Sequence, residues 1–241
     1  LDLFQASKEM FDVIDPYATL MAETSCISKR DGKLICHAKD PISSGLSLDG
    51  FLPEDHFANT DAELFSMGAG GSTIALTWHL MQENRGNNRP KKIVVSDRSQ
   101  PRLAHIRDIH ESLGSDIPIE YRLVERAQDN DDILASMAAG SVVVNATGLG
   151  KDSPGSPLSD AANFPKNAII WELNYRGDLL FLDQAKAAKE LQCLQIEDGW
   201  TYFIHGWTQV IAEVFSIEIP VAGDRFEDIS RIAAKATGRS V

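Results

Sequence analysis

Cysteine is scarce: Cys26, Cys36 and Cys193 are the whole complement of the 241 residues, with no CxxC pair and no spacing that suits a metal. So small and odd a set argues against a disulfide framework and fits a reducing compartment, each thiol reading as a small buried apolar side chain. Long apolar runs are missing too. No stretch approaches the roughly 20 residues of a membrane-spanning helix, and the first residues lack the basic-then-apolar layout of a secretion signal. A cytoplasmic protein without membrane contact is expected. Positive charge is in deficit, 23 lysines and arginines against 35 aspartates and glutamates, for a net charge of −12. With no basic run either, nucleic acid is a poor partner. What is present is a composition 43% hydrophobic, enough for one large domain or for one full domain and part of another.

Apolar Leu3, Phe4, Met10, Phe11, Ile14 and Leu20 recur at helical intervals, and Pro16 suits the start of a second helical turn, so residues 1–22 are predicted helical. Residues 26–28 and 34–36 flank Lys29-Arg30-Asp31-Gly32 and read as a short hairpin, because Asp-Gly supplies the positive φ of a tight turn. Two strands are too little sheet to stand alone. The expectation is a chain that starts inside a domain whose earlier strands lie upstream. Pro53, Glu54 and Asp55 mark a polar break. Beyond it come strands at 62–67, 92–96, 119–124, 141–145, 168–175 and 194–197, and helices at 72–82, 102–113, 133–139 and 179–191. That alternation predicts an α/β fold, a doubly wound parallel sheet covered on both faces. Two further helices are predicted at 200–215 and 225–236. The expected plan is a partial α/β substrate domain over 1–55, a Rossmann-type nucleotide domain over 56–200, and helices over 201–241 that return to the substrate domain.

Met67-Gly68-Ala69-Gly70-Gly71-Ser72-Thr73 follows an apolar strand and opens a helix, the context in which a glycine fingerprint acquires meaning. Gly68 permits the tight turn, Gly70 lets backbone approach a pyrophosphate, and the helix N-terminus offers N–H groups and a positive dipole end. Thr73 stands where the general pattern has its third glycine. A glycine-rich loop without a ligand is the competing reading. At the end of the second strand of this domain, Asp97 occupies the position that meets an adenosine ribose. Its carboxylate could accept both ribose hydroxyls and would repel a 2′-phosphate, whereas Arg98 and Arg102 could clamp that phosphate. NAD is favoured over NADP, with a helix cap as the alternative role for Asp97.

From about Ala18 onward the chain resembles the shikimate and quinate dehydrogenase family. The hairpin Lys29-Arg30-Asp31-Gly32-Lys33-Leu34 followed by Asp40 is similar to the family stretch that leads into Asn-Thr-Asp. Gly68-Ala69-Gly70-Gly71 resembles its GAGG loop, and Asn145-Ala146-Thr147 its Asn-Ala-Thr at a strand end beside the nicotinamide. The stretch Trp171 to Tyr175 is similar to its Tyr-Asp-x-x-Tyr strand, and Asp198-Gly199 leads into its returning helix. The resemblance implies a cofactor site at Gly68, Ala69, Gly70, Gly71, Ser72, Asp97, Arg98, Asn145, Ala146 and Thr147. It implies Asp40 as one member of a lysine–aspartate pair flanking the oxidised hydroxyl, where one group accepts the alcohol proton as hydride leaves. Family spacing puts the lysine near Phe4 or upstream of Leu1, and upstream is the expectation; Lys8 and Lys39 are weaker alternatives.

Departures bear on the substrate. Family asparagines correspond to Ser25 and Ala38, and a glutamine on the returning helix to Gly206; Tyr175 is retained. His205 and Gln209, one helical turn apart, could both meet ligand, so the substrate set is Ser25, Tyr175, His205 and Gln209. Glu172, at a family aspartate position, is equally readable as structural, and Lys151 as a phosphate contact or a solvated loop residue. A site that loses hydrogen-bonding partners rejects the original polyol, so a small hydroxylated carboxylic acid is expected rather than shikimate or quinate specifically. The leading function is hydride transfer between NAD(P) and a secondary alcohol. A catalytically silent metabolite or nucleotide sensor is the alternative, and a methylene-tetrahydrofolate-type dehydrogenase fits the C-terminal helices less well. No metal site is indicated, and a homodimer is left open.

Overall fold

A computed structural model describes residues 2–239. Its chain divides into two units, Leu1–Leu48 with Thr201–Val241, and Asp49–Trp200. The first unit opens with α1 (Asp2–Ser7), β1 (Val13–Ile14) and α2 (Pro16–Met21), followed by β2 (Cys26–Arg30), β3 (Lys33–His37) and α3 (Asp40–Phe51). The long helix expected over 1–22 is therefore a correction: it is interrupted by a strand, with Val13 and Ile14 pairing parallel to Ile35 and Cys36. Adjacent β-branched side chains favour extended backbone, and Asp15 then caps α2 by accepting from the Ala18 N–H at 2.6 Å, with Pro16 at the first helical turn. Leu1 and the side chain of Leu3 lie outside the described residues.

The hairpin is present and longer than expected, in antiparallel register from Cys26↔His37 to Arg30↔Lys33. Asp31 and Gly32 form its tip with φ of 49° and 78°, the two positive values a two-residue turn of this hand demands. Asp40 begins a helix absent from the sequence reading. Its inner face is small, with Ser43, Ser44, Gly45 and Ser47 buried beside Leu48, so no stripe of large apolar residues announces it.

In the second unit β4 (Leu64–Met67), α4 (Gly71–Leu80), β5 (Ile93–Asp97), α5 (Gln100–Leu113), β6 (Ile119–Leu123), α6 (Ala127–Ala135), β7 (Val142–Asn145), β8 (Ile169–Glu172), α7 (Leu180–Gln192) and β9 (Gln195–Glu197) alternate. Their sheet runs β6-β5-β4-β7-β8-β9 and is parallel throughout. This is the doubly wound Rossmann-type fold expected. Phe65, Val94, Val143 and Ile170 from the strands pack with Leu134, Phe164 and Phe181 in one buried cluster, which is why these strands read as unbroken apolar runs.

Two elements move relative to expectation. The helix placed at 133–139 starts earlier, because Asp129 accepts from the Glu125 and Arg126 N–H groups, both at 2.9 Å, and so caps a turn rich in acids. β8 stops at Glu172 instead of running on to Tyr175, since the Asn174 N–H turns to the Glu172 side chain at 2.8 Å. Helices α8 (Trp200–Phe215) and α9 (Asp224–Thr237) follow. All three cysteines are free, but only Cys36 is buried; Cys26 is half-buried and Cys193 exposed. Cys193 is the αL residue that ends α7, with φ of 53°, which turns its side chain out of the core. Among the described residues no helix is long and apolar enough to cross a membrane.

Candidate functional site

The strand order reverses between β4 and β7, and ligands of such sheets bind beyond the carboxyl ends of the strands at that point. Met67 pairs in register with Ser96 on one side and Asn145 on the other, so the glycine turn, the Asp97 corner and the Asn-Ala-Thr corner meet at one sheet edge. A cleft of about 360 Å³ lies there, lined by Gly68, Gly70, Asp97, Arg98, Arg102, Arg126, Ala146 and Thr147 among others.

Gly68 and Gly70 have different reasons to be glycine. Gly68 has φ of 103°, and a Cβ there would lie 2.8 Å from the Ala146 carbonyl oxygen, so fold alone demands glycine. Gly70 has an ordinary φ of −92° at the N-cap of α4, and a Cβ there would meet no protein atom within 4 Å. No steric contact inside the protein requires glycine at 70, whose place at the N-cap favours it only modestly. Thr73 closes the loop in place of a third glycine, its buried hydroxyl donating to the Gly68 carbonyl at 2.5 Å and lying 2.9 Å from Ser66 Oγ.

Asp97 anchors the same loop. Its Oδ2 accepts from the Ala69 N–H at 2.7 Å and its Oδ1 from the Ser99 N–H at 2.8 Å. Ala69 is buried, and Ser72 lies in the first turn of α4. Arg126 enters the lining from the end of the third strand of the sheet. Its position after a strand terminus is the signal that could have found it.

Asn145 is fully buried and works inside the protein. Its Nδ2 donates to Glu172 Oε2 at 2.7 Å, while its Oδ1 accepts from the Thr147 N–H at 3.0 Å and the Thr147 hydroxyl at 2.6 Å. Glu172 Oε1 in turn accepts from both the N–H and Nδ2 of Asn174 at 2.8 Å. Burial pushes the Glu172 carboxyl up to about 7 even though all three donors favour its ionised form. The result fixes the corner that presents Ala146 and Thr147 to the cleft. Lys151 pairs with Asp152 at 3.2 Å.

Asp40 and Ser25 belong to the other unit. The Ser25 hydroxyl accepts from the Lys39 N–H at 3.0 Å and donates to Asp40 Oδ1 at 3.5 Å, and Tyr202 of α8 gives Asp40 a second side-chain hydrogen bond. Burial raises the Asp40 carboxyl above its usual range against those two donors. Glu23, which no motif or spacing singles out, lies beside it: burial first, and then the charge of Asp40, lift Glu23 to about 7. Of the alternative lysines, Lys8 is exposed, and the buried Lys39 directs its ammonium to Glu213 at 2.5 Å.

His205 is only 3% exposed and stacks on Phe226 with ring centroids 4.3 Å apart. Burial pushes its pKa down to about 4. Gln209 is half-buried one turn later, and Tyr175 sits half-buried past the end of β8 in the second unit. No group of three or more metal-ligating side chains is gathered among the described residues.

No family model matches the chain. A shikimate dehydrogenase (NADP(+)) of Streptococcus thermophilus is 25% identical over 166 residues, which is 68% of this chain and 53% of that protein. The chain thus spans about half the length of this curated relative. Among solved structures, a quinate dehydrogenase of Corynebacterium glutamicum in complex with NAD has a TM-score of 0.72 at 20% identity, over 96% of this chain and 74% of that one. The chain is similar in sequence, at about 25% identity, to curated shikimate dehydrogenases and shares the fold of the quinate and shikimate dehydrogenase structures. The shared fold is broader than one substrate: a 5-ketofructose reductase of a Gluconobacter strain gives a TM-score of 0.64 at 16% identity, over 95% of this chain and 75% of that one. Two positions at which the sequence departs from the pattern it resembles are small residues. Ala38 is fully buried, and a Cβ at Gly206 would meet nothing within 4 Å.

Proposed function

We propose that the chain is an NAD(P)-dependent dehydrogenase of shikimate/quinate dehydrogenase type, acting on a secondary hydroxyl of a small hydroxylated carboxylic acid. The observation that carries the nucleotide half is the turn Gly68–Gly70 at the N-terminus of α4, where Gly70 leaves the backbone open to a 360 Å³ cleft. Gly68, Gly70 and the first turn of α4 would hold the pyrophosphate through backbone N–H groups and the helix dipole. Ala146 and Thr147 would line the approach to the nicotinamide, which when bound exchanges hydride with the substrate carbon. Asp40 would take the alcohol proton. The relatives and neighbours named above are all oxidoreductases, and none supports the silent sensor.

NAD is the cofactor we favour, because Asp97 brings a carboxylate to the ribose end of the cleft and would repel a 2′-phosphate. A second reading rests on Arg98, Arg102 and Arg126, three guanidinium groups lining the same cleft, which suit that phosphate. The polyol partners implied by family resemblance are reduced at Ser25, Ala38 and Gly206, so the acid is expected to carry fewer hydroxyls than shikimate.

Calorimetric titration of the full chain with NAD and with NADP, then absorbance at the reduced-nicotinamide band over a panel of hydroxylated cyclic acids and 5-ketofructose, tests this reading. Tight NAD binding with turnover of an acid is expected, and Asp97→Asn should lower the preference for NAD by about tenfold, one charge-assisted hydrogen bond. Tighter NADP binding would hand the preference to the arginines. Binding of neither nucleotide would overturn the proposal.

A further inference from the structure

The six-stranded sheet ends on β6, and among the described residues no strand pairs with its far side. Two hydrogen bonds fix which of its backbone groups are left over. The Ile93 N–H donates to the Pro118 carbonyl at 2.9 Å, and the Val124 N–H to the Asp97 carbonyl at 3.1 Å. Residues 118 and 124 therefore turn their backbone towards β5, and alternation along the strand gives 120 and 122 the same direction. The N–H and C=O groups of Ile119, Tyr121 and Leu123 point the other way, out of the sheet edge. Proteins commonly blunt such an edge with a proline, a bulge or a covering segment. Here the register from Ile119 to Leu123 is unbroken and holds no proline, and Leu123 is 52% exposed. The Tyr121 side chain is held back by its own unit, its hydroxyl 2.8 Å from His110 Nδ1 and the Arg107 guanidinium 4.8 Å from its ring centre. A groove of about 590 Å³ lies between β6 and α5.

The charges on the strand name the partner. Glu120 and Arg122 stand two residues apart on one face, with Arg122 Nε donating to Glu120 Oε2 at 3.0 Å. Laid antiparallel against a second copy of itself, about a two-fold axis at Tyr121, the strand sets Glu120 of each copy opposite Arg122 of the other. The same register sets Tyr121 opposite Tyr121 and Ile119 opposite Leu123, the residues whose backbone groups are free, so each of these pairs exchanges both N–H···O=C bonds. Moving the axis to Glu120 or to Arg122 would set that charge against itself, which is destabilising. Backbone direction thus permits the pairing and charge order chooses its register. We propose that β6 is a self-association edge, through which two copies of the chain pair antiparallel about an axis at Tyr121 and join their sheets into one. Five residues a side is far fewer than the roughly 20–30 of a standard interface. The dimer is accordingly a reversible one, formed at high concentration and weakened by salt. It stands whatever the substrate of the chain.

Sedimentation equilibrium of the full chain without nucleotide, up to its highest soluble concentration, tests the pairing. The wild type is expected to dimerise, and Glu120→Arg and Arg122→Glu are each expected to weaken association at least tenfold, because each sets like charges opposite one another twice across the axis. Mixed in equal amounts, the two variants should associate with each other as the wild type does with itself, since every acid then faces a base again. The double variant should self-associate for the same reason. Thermal unfolding of each variant is the folding control, and rescue by mixing cannot come from misfolded chains. A readout that needs no variant is amide hydrogen exchange in the wild type: the Ile119, Tyr121 and Leu123 N–H groups should exchange more slowly as concentration rises, while those of Glu120 and Arg122, turned towards β5 in monomer and dimer alike, do not change. A wild type that stays monomeric overturns the proposal and leaves the edge to an extended segment of another protein. A dimer that neither charge reversal weakens, that mixing does not restore, or that leaves exchange at the three outward amides unchanged forms through another surface, and overturns it as well.

Discussion

Glu172→Gln should remove one pH-dependent part of the chain's stability. The wild-type carboxyl has no exposure and accepts from Asn145 Nδ2 at 2.7 Å and from two Asn174 groups at 2.8 Å. Burial raises it from the usual 4.5 to about 7. Because the folded value lies above the unfolded one, the stabilising contribution is fully present below pH 4.5 and is lost as pH rises through about 7. A rise of that size corresponds to roughly 3 kcal/mol across the window. Glutamine has no proton to release there, so that slope disappears. It does present an N–H2 group to Asn145 Nδ2 where the acid presented an oxygen, leaving one buried donor unpaired at about 1–3 kcal/mol. Turning Asn145 over gives no relief, since its Oδ1 already accepts from the Thr147 N–H and hydroxyl. Urea unfolding at about pH 4.5 and pH 8 should therefore find Glu172→Gln less stable by about 1–3 kcal/mol at the lower pH and at least as stable as wild type at the higher. Glu23 has the same kind of raised pKa in both proteins, so the difference between the curves isolates position 172. Parallel curves for the two proteins would refute the reasoning.

Gly68→Ala and Gly70→Ala should separate fold from ligand. The first meets a backbone oxygen at 2.8 Å with φ of 103° and should cost about 2–4 kcal/mol in thermal unfolding. The second meets no clash but replaces a favoured N-cap residue, so it should cost no more than about 1 kcal/mol in unfolding and weaken nucleotide binding at least tenfold, about 1.4 kcal/mol, in the calorimeter. Glu213→Gln should destabilise the chain by about 2–4 kcal/mol at pH 7, since it strands Lys39, only 8% exposed, beside a neutral partner. Burial alone would raise the Glu213 carboxyl, but Lys39, His37 and Arg30 together hold it below the usual 4.5. That contribution is present above 4.5 and lost as pH falls through the folded value. Wild type and Glu213→Gln should therefore converge in acid, as denaturant midpoints at pH 7 and in strong acid will show.

The parallel sheet is legible in the sequence because its strands are covered on both faces. Val142, Val143 and Val144, or Ile93, Val94 and Val95, form runs of residues at most 2% exposed, and no polar alternation breaks them. Elements held by small residues or by capping escape the same reading. Helix α3 buries serines where a periodicity search looks for leucines, and α6 is placed by the Asp129 carboxylate rather than by apolar spacing. The glycine turn and the Asn-Ala-Thr corner are visible as motifs, yet their division of labour is not. Gly68 answers to Ala146, Asn145 to Glu172, and Asp97 to Ala69, each partner between 27 and 78 residues away in sequence or brought there by the sheet register. Glu23 is invisible for a related reason: what distinguishes it is the company of Asp40, not a pattern around itself.

Glu23 and Glu172 also show why a raised carboxyl is not by itself a reactive one. Both rise to about 7 and both owe most of the rise to burial. Glu172 is enclosed by neutral amides that hold one corner of the backbone in place, and its proton has no second acid to pass to. Glu23 gains the smaller part of its rise from the charge of Asp40. A rise of either kind couples pH to stability. Glu172→Gln should leave the acid limb of kcat/KM where it is in the wild type. A limb that followed Glu172 instead would report the ordering of the Thr147 corner, and the proton of Asp40 would then not be the one that limits the rate.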